Sequence, residues 1–560
     1  MSSLFDAPPR DLVDFLTRNA QIGTTDRYRQ ANLAEQWYQS LQYDGLLNHD
    51  AEGAASKKKP REIFPFFKIA IDTLLSFVWG GSRAPRVSIS ATRADTDTAS
   101  PGEVGPRLYT KDAEQLSTFV TAMMKAARLD RCVSEYSRNA LITSSCAVLL
   151  GSRAGWLTYY VEHGKHCTPF WSKLNPRALE SLEIRYQYSV EEPVPMSTQT
   201  RTRWYWFRRV LDEQNDTVFQ KIPVTPGALP EWIVDTDKSV VHGLGFCPAV
   251  WVRTLPISAD AVDGQPVIDP VLYKILDRLN RIYSQRGRAI EYVLDPQWIR
   301  KNVTPEQRQL LQRNPGKIWD LDDASPEKRS SIELMEARGT GSDAAGAHLV
   351  DLRNRFLEAC RVVIADTSQA PGGQLSGVVL EYLNAPMIAL ASDLRKDLGD
   401  DALGDLINMG LRMACALDDQ GMTLFIPGIA KACALMKKAQ LAGPWLDFPV
   451  NLSWGRYFTP TTADVAASIA SATAAQAGGL ISKITATKYV ADLFNVLDTQ
   501  AELDQIDTET PDPPPVVVAA PGAPGAPPPA PVPPGKAKKQ ASQQPPQKRA
   551  ATNRVGAPKA

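Results

Sequence analysis

The chain has 560 residues, 43% of them hydrophobic, which is enough for two to four domains and a sizeable core. Its 62 Lys and Arg balance 62 Asp and Glu, so it lacks the overall basic excess of a protein that clamps DNA through its phosphates. Any nucleic-acid partner is therefore held locally or passed along.

In chain order, residues 11–45 read as helix, with Asp26 placed to cap a segment in which Leu33, Trp37 and Leu41 recur at helical spacing. Residues 51–61 (AEGAASKKKPR) form a polar basic loop. Residues 62–79 read as a buried helix and 86–90 (RVSIS) as a short strand, with a Gly/Pro/Asp-rich loop over 93–107. The apolar part of this stretch, 64–79, carries Lys68 and Asp72 and is too short and too charged to span a bilayer. Residues 111–150 read as largely helical, with Leu116, Phe119, Val120, Met123 and Met124 on one face. From 155 to 253 the period changes to two: GWLTYYVEH, EIRYQYSV, RTRWYWFRRVL and TVFQKIPV are antiparallel-strand runs separated by turn residues.

A long helix is expected over 269–294. Asp269 caps it, Pro270 takes its first position, and Leu272, Ile275, Leu276, Leu279, Ile282 and Tyr283 make its apolar stripe. Residues 295–346 read as a small αβ insertion. A second helix runs over 347–366 with Leu349, Leu352, Phe356, Cys360 and Val363 on one side. A Gly/Pro loop, TSQAPGGQLS, covers 367–376. Residues 377–417 form a long helix that Pro386 kinks near its start. Residues 446–454 read as a strand and 461–507 as helix. The proline-rich end, with Ala, Gly, Gln and Lys between its prolines, cannot build a packed core and is expected to be extended and disordered. The fold class is α+β, mainly helical.

The chemistry-bearing motifs of enzymes are missing from the sequence. There is no G-x-x-x-x-G-K-[ST] phosphate cradle and no H-E-x-x-H. Gly373–Gly377 (GQLSG) has the spacing of a bending loop rather than of a nucleophile elbow. His163, His166 and Cys167 cluster in EHGKHC, and the plain reading is a polar strand end or turn. Asp400–Asp401 and Asp418–Asp419 read as solvated helix ends. Cysteines at 132, 146, 167, 247, 360, 415 and 433 are odd in number and make no C-x-x-C pair, which fits a reducing compartment. The first residues, MSSLFDAPPRDLVDF, carry acids where a signal peptide would be basic and then apolar. No catalysis, metal or cofactor is expected.

Four passages carry a family resemblance. They are YRQANLAEQWYQSLQYDG (28–45) followed by IFPFFKIAIDTLLSFVWGGSRAPRVS (63–88), HGLGFCPAVWVRTL (242–255), SQAPGGQLSGVVLEYLNAPM (368–387), and AGGLISKITATKYVADLFNVLDTQAELDQIDTE (477–509). In this order, over roughly residues 25–509, they resemble portal proteins of tailed bacteriophages of the SPP-type family. The resemblance implies a non-enzymatic ring subunit at one capsid vertex, through which DNA is packaged and ejected. It assigns 1–265 to the first part of a wing and 266–294 to a stem helix. It makes 295–346 a clip, 347–366 a second stem helix and 367–376 a tunnel loop. The long helix and wing return would span 377–460, a crown 461–507, and a disordered Pro-rich tail 508–560.

The implied partners are other copies of the chain in a dodecameric ring, double-stranded DNA in the channel, terminase, the major capsid and scaffold proteins, and head-completion or adaptor proteins. No membrane is involved. The implied location is the virion, after assembly in the host cytoplasm. The tunnel loop would present Gln369, Pro371, Gly372, Gly373 and Gln374, an uncharged and compliant collar that lets a duplex slide. Lys274, Arg278, Arg281 and Arg288 fall on one face of the first stem helix, where they would meet acids of a neighbouring subunit or line part of the lumen. The basic tail (Lys536, Lys538, Lys539, Lys548, Arg549, Arg554, Lys559) could touch DNA or scaffold. The rival classes are another phage minor head or adaptor protein, and a metal-dependent nuclease.

Overall fold

The computed structural model describes residues 26–46, 59–91, 108–173, 178–193, 200–225, 230–258, 261–294, 297–301, 331–335, 340–364, 377–422, 424–438, 448–458, 462–491, 503 and 505–506. The chain mixes helices with antiparallel sheets, as α+β, and divides into two compact units, 1–467 and 468–560.

The first unit opens on α1 (Asp26–Gln39) and α2 (Phe66–Trp79). In α1, Asp26 is the first helical residue rather than a cap. The expected stripe is also rotated: Leu33 is exposed, and Ala31, Ala34 and Trp37 go inward with Glu35. Small alanines let α1 approach its neighbours closely, so its face is set by packing rather than by its largest side chain. In α2, Phe67, Ala70, Ile71, Leu74, Phe77 and Val78 are buried. Strand β1 (Arg86–Ile89) follows, then α3 (Thr110–Ala126) and α4 (Leu129–Thr143).

Helix does not continue to 150 as expected. It stops at Ser144, whose backbone is left-handed at φ 68°, and β2 (Ser145–Arg153) begins at once. The run CAVLL (146–150) is apolar at every position because β2 is buried on both sides. Cys146, Val148 and Leu150 join the main core, and Ala147 and Leu149 join a second, smaller core. A continuous short apolar run is common to buried strands and buried helices, so periodicity could not separate them.

Strand β2 is the middle of a three-stranded antiparallel sheet, between β3 (Trp156–His163) and β10 (Ala249–Arg253). A larger sheet runs β4 (Cys167–Trp171), β5 (Leu179–Pro193), β6 (Thr200–Leu211), β7 (Asn215–Val218) and β9 (Val240–Val241), with β8 (Ile222–Pro223) also paired to β6. Its long β5–β6 ladder alternates aromatic and charged residues, and Tyr186, Tyr188, Tyr205 and Phe207 turn into the second core. Arg209 and Asp216, both buried there, form a bidentate pair at 2.8 and 2.8 Å. The strands expected over 155–253 are therefore present.

Beyond them lie α5 (Tyr273–Leu294), the antiparallel pair β11 (Gln297–Lys301) and β12 (Ser331–Met335), and α6 (Thr340–Ala359). Helix α6 starts and ends about seven residues earlier than expected. It stops before Arg361, which is left-handed at φ 56°. Residues 377–419 are helical but interrupted: α7 (Gly377–Leu383), α8 (Ala385–Arg395), a π-helical stretch Lys396–Leu403, and α9 (Gly404–Asp419). Helix α10 (Ile429–Lys438), which periodicity did not reveal, packs Cys433 and Met436 into the core. Strand β13 (Val450–Ser453) then returns to pair antiparallel with β1, Arg86 opposite Ser453 and Ile89 opposite Val450.

Helix α11 (Thr462–Ala477) is followed by α12 (Lys483–Ala491). The turn between them uses Gly479 at φ +69°, and the Ser482 hydroxyl accepts from the Thr485 N–H at 3.2 Å. The helix expected over 461–507 is therefore broken here, and Ser482 starts the second helix.

Within the π stretch, Gly399 lies against the indole of Trp454, and a Cβ there would run into the ring. That ring is held by its own N–H donating to Asp400 at 3.1 Å. Gly399→Ala is expected to destabilise the fold by about 1–3 kcal/mol through overpacking, measured as a lower midpoint in urea at an unchanged slope.

Candidate functional site

The candidate site is the helix pair α5–α6 with the strand pair between them, together with the interrupted helix that follows. Asp269 caps the start as expected: its carboxylate accepts from the Val271 N–H at 2.8 Å and Pro270 stands at the first position. One tight turn, Pro270–Leu272, precedes α5. Leu276 and Leu279 are fully buried, and Leu272, Ile275, Ile282 and Tyr283 pack against the same core. The polar residue on this face is also satisfied. Asn280 accepts from the Phe64 N–H at 3.0 Å and donates to the Tyr43 hydroxyl at 3.2 Å. Ser284 accepts from the Glu62 N–H at 2.9 Å, so the segment before α2 is stitched to α5.

The opposite face of α5 carries the predicted cations. Lys274, Arg278 and Arg288 are exposed, and Arg281 is half-buried with its guanidinium 2.9 Å from Asp277 one turn earlier. Antiparallel β11 and β12 return the chain to α6, which packs along α5 and buries Leu349, Leu352, Phe356 and Cys360. The outward surface of α6 is mixed in sign: Asp343, Asp351 and Glu358 are exposed, and so is Arg355, which pairs Asp351 at 3.1 Å.

The long helix breaks where Pro386 predicted, at Asn384, whose side chain donates to the Leu380 carbonyl at 2.8 Å. Its first segment, α7, leaves Tyr382 83% and Leu383 56% exposed. The π stretch frees backbone groups that need partners. Tyr136, fully buried, donates to the Leu398 carbonyl at 2.7 Å. Asp397 accepts from the Leu255 N–H at 2.6 Å, and its burial pushes the carboxyl above its ordinary range. Arg395, buried at the head of the stretch, stacks between Trp454 (4.8 Å) and Tyr457 (3.9 Å). Desolvation lowers its pKa from the usual arginine value. This stretch is rigidly held from three directions. No sequence signal marks it beyond Gly399 and Gly404 in an otherwise helical run.

The tunnel-loop residues Gln369, Pro371, Gly372, Gly373 and Gln374 lie outside the described residues. So do most of the clip, the Ser-Gly approach to α7, and the basic tail. The EHGKHC cluster is a strand end and turn: His163 closes β3, Gly164–His166 form one tight turn, and Cys167 opens β4. No group of three or more His, Cys, Asp and Glu suited to a metal occurs among the described residues. Asp400 bonds Trp454, and Asp419 pairs with Lys437.

Two charged features escaped the sequence reading. One is Glu35, buried in α1, which pairs with Lys165 and lies 3.0 Å from His163 Nδ1. Burial would push its carboxyl up. The Lys165 ammonium outweighs that, helped by His163, and holds it at about 2. The signal was a lone acid among inward-facing alanines. The other is a groove carrying Arg86, Lys125, Arg128 and Arg131. Its signal was the K-x-x-R-x-x-R spacing over 125–131, which gains meaning only once β1 is beside it.

Compared with known proteins, the chain matches no family model and no curated protein.

The Glu35 pair makes stability depend on pH. Its folded pKa lies below the ordinary 4.5, so its contribution is complete above 4.5 and is lost as pH falls towards 2. Glu35→Gln is expected to cost about 3 kcal/mol at pH 7, because it removes the carboxylate that the buried Lys165 ammonium pairs with. It should also flatten the fall in thermal midpoint between pH 5 and 3 relative to the parent chain.

Proposed function

We propose that this chain is the ring-forming subunit of a tailed-bacteriophage portal, a non-enzymatic channel at one capsid vertex for packaging and ejecting double-stranded DNA. The observation that carries the reading is an order of elements. Two long helices, α5 and α6, pack side by side with a paired-strand insertion between them, and a long interrupted helix follows. That is the arrangement the portal resemblance implies for stem, clip and the helix behind the tunnel loop. In this reading β1–β10 and β13 belong to the wing. The strand pair β11–β12 lies in the clip, 295–346, which docks terminase and later the head-completion proteins.

The surface chemistry supports assembly from copies of one chain. The outward face of α5 is basic and α6 exposes Asp343, Asp351 and Glu358 alongside Arg355, so neighbours placed head to tail around an axis would set those acids against the cations of α5. Helix α7 adds exposed Val379, Tyr382 and Leu383, apolar area that a second subunit would cover. The ring is dodecameric in the virion. ATP hydrolysis belongs to the terminase, and the chain needs no cofactor.

Two measurements test this. Negative-stain microscopy of the purified chain should show rings with a central hole, and a uniform monomer would overturn the proposal. Replacing Lys274, Arg278, Arg281 and Arg288 together by Gln should raise the protein concentration needed for ring assembly about tenfold, given exposed pairs worth about 0.2–1 kcal/mol each. Normal assembly with normal DNA packaging would remove the role given to this face.

A further inference from the structure

The groove beside β1 is one-sided in charge. Its volume is about 640 Å³, and three elements build it: β1, the end of α3 and the start of α4. Arg86, Lys125, Arg128 and Arg131 stand on its walls, all exposed, against one acid, Asp130. None of the four cations forms an ion pair among the described residues. In a chain with equal numbers of Lys plus Arg and Asp plus Glu, this is a local excess that the folding brings together from residues 40 positions apart.

Arg128 adds an independent observation. It joins α3 to α4 in the left-handed region, φ 51° and ψ 42°, which an L side chain adopts only at a conformational cost. Glycine would hold this turn without strain. Its side chain makes no hydrogen bond or ion pair that would repay the cost. Strain of this kind, kept at an exposed cation in a cationic groove, is what a binding role would retain.

The lining also selects the ligand. The cations are exposed and spread along an open groove, so a single small anion there stays hydrated and gains little. A polyanion touches several cations at once and releases condensed counterions with each contact. No aromatic side chain lines the groove, so there is no platform on which the bases of a single strand could stack. We infer that this groove binds the phosphate backbone of double-stranded DNA, without regard to sequence, through Arg86, Lys125, Arg128 and Arg131. The inference does not rest on the portal reading: a duplex can lie on this groove whether or not the chain closes into a ring.

The test uses the full chain and a fluorescein-labelled 20-base-pair duplex, read by anisotropy across a salt series. Four phosphate contacts predict a slope of log affinity against log salt of about −3.6. The variant Arg86→Gln, Lys125→Gln, Arg128→Gly, Arg131→Gln should bind at least tenfold more weakly and lose most of that slope, about 1 for each cation removed. A control with the same charge change elsewhere on the surface, Arg153→Gln, Arg201→Gln, Lys238→Gln, Lys396→Gln, should keep it. Replacing the tail cations Lys536, Lys538, Lys539, Lys548, Arg549, Arg554 and Lys559 by Gln separates the tail from the groove.

Arg128→Gly alone should raise the thermal midpoint while weakening duplex binding, a pairing that a purely structural arginine would not produce. The proposal is overturned if the groove variant binds the duplex as the parent does. It is also overturned if the tail variant accounts for all binding, if a single strand of equal length binds more tightly, or if micromolar inorganic phosphate competes. If rings are absent and the groove still binds DNA, the portal reading fails and this one stands. If rings form and the groove variant binds unchanged, the reverse holds.

Discussion

The first unit depends on one strand serving two cores. Five successive residues of β2 alternate in allegiance: Cys146, Val148 and Leu150 pack with the helices, while Ala147 and Leu149 pack with the aromatic sheet. A one-residue slip would exchange the two sets and put the larger side chains on the wrong side of each. The neighbours of β2 therefore have fixed positions. α4 enters it through the left-handed Ser144, β10 pairs with it from Ser145 to Leu149, and the turn at Gly164 passes so close to the Ser145 carbonyl that a Cβ there would collide with it. The Glu35–Lys165 pair then ties α1 to that same turn.

Much of the architecture was legible in the residues because its signals are local. Asp269-Pro270 is a helix start that needs no tertiary context, and the structure has the bond that the motif implies. Pro386 cannot donate a backbone hydrogen bond, and the helix breaks at the residue two before it. The alternating aromatic runs between 155 and 253 read as strands because every second side chain must be buried. What escaped is what depends on distant partners. β2 looked helical because a run buried on both faces has no period. The start of α6 came early because its first turns, Thr340 to Gly346, are small and polar and carry no apolar stripe. The π stretch needs Tyr136, Leu255 and Trp454 to satisfy it, residues far away in the chain.

The candidate site divides in the same way. The basic face of α5 was visible because one helix carries it at regular spacing. The exposed acids of α6 mean little until α6 is seen beside α5, and the cations at 125–131 mean little until Arg86 stands next to them. Charges brought together by folding differ from charges clustered in sequence. They cost nothing in local propensity, so no local rule exposes them, and their effect appears only in the folded surface field. A neutral chain can in this way present a strongly basic patch.

The pairing of β1 with β13 has a bearing on the order in which the protein becomes itself. Arg86 to Ile89 leave the ribosome long before Val450 to Ser453, by roughly 20–70 s at ordinary translation speeds. Until then β1 offers an open edge, and the layer of helices that Trp454 and Tyr457 clamp through Arg395 lacks its last member. Nascent chains on one message would meet while incomplete. A closure this late in the chain acts as a timer, since the body cannot acquire its final shape before nearly all of it exists.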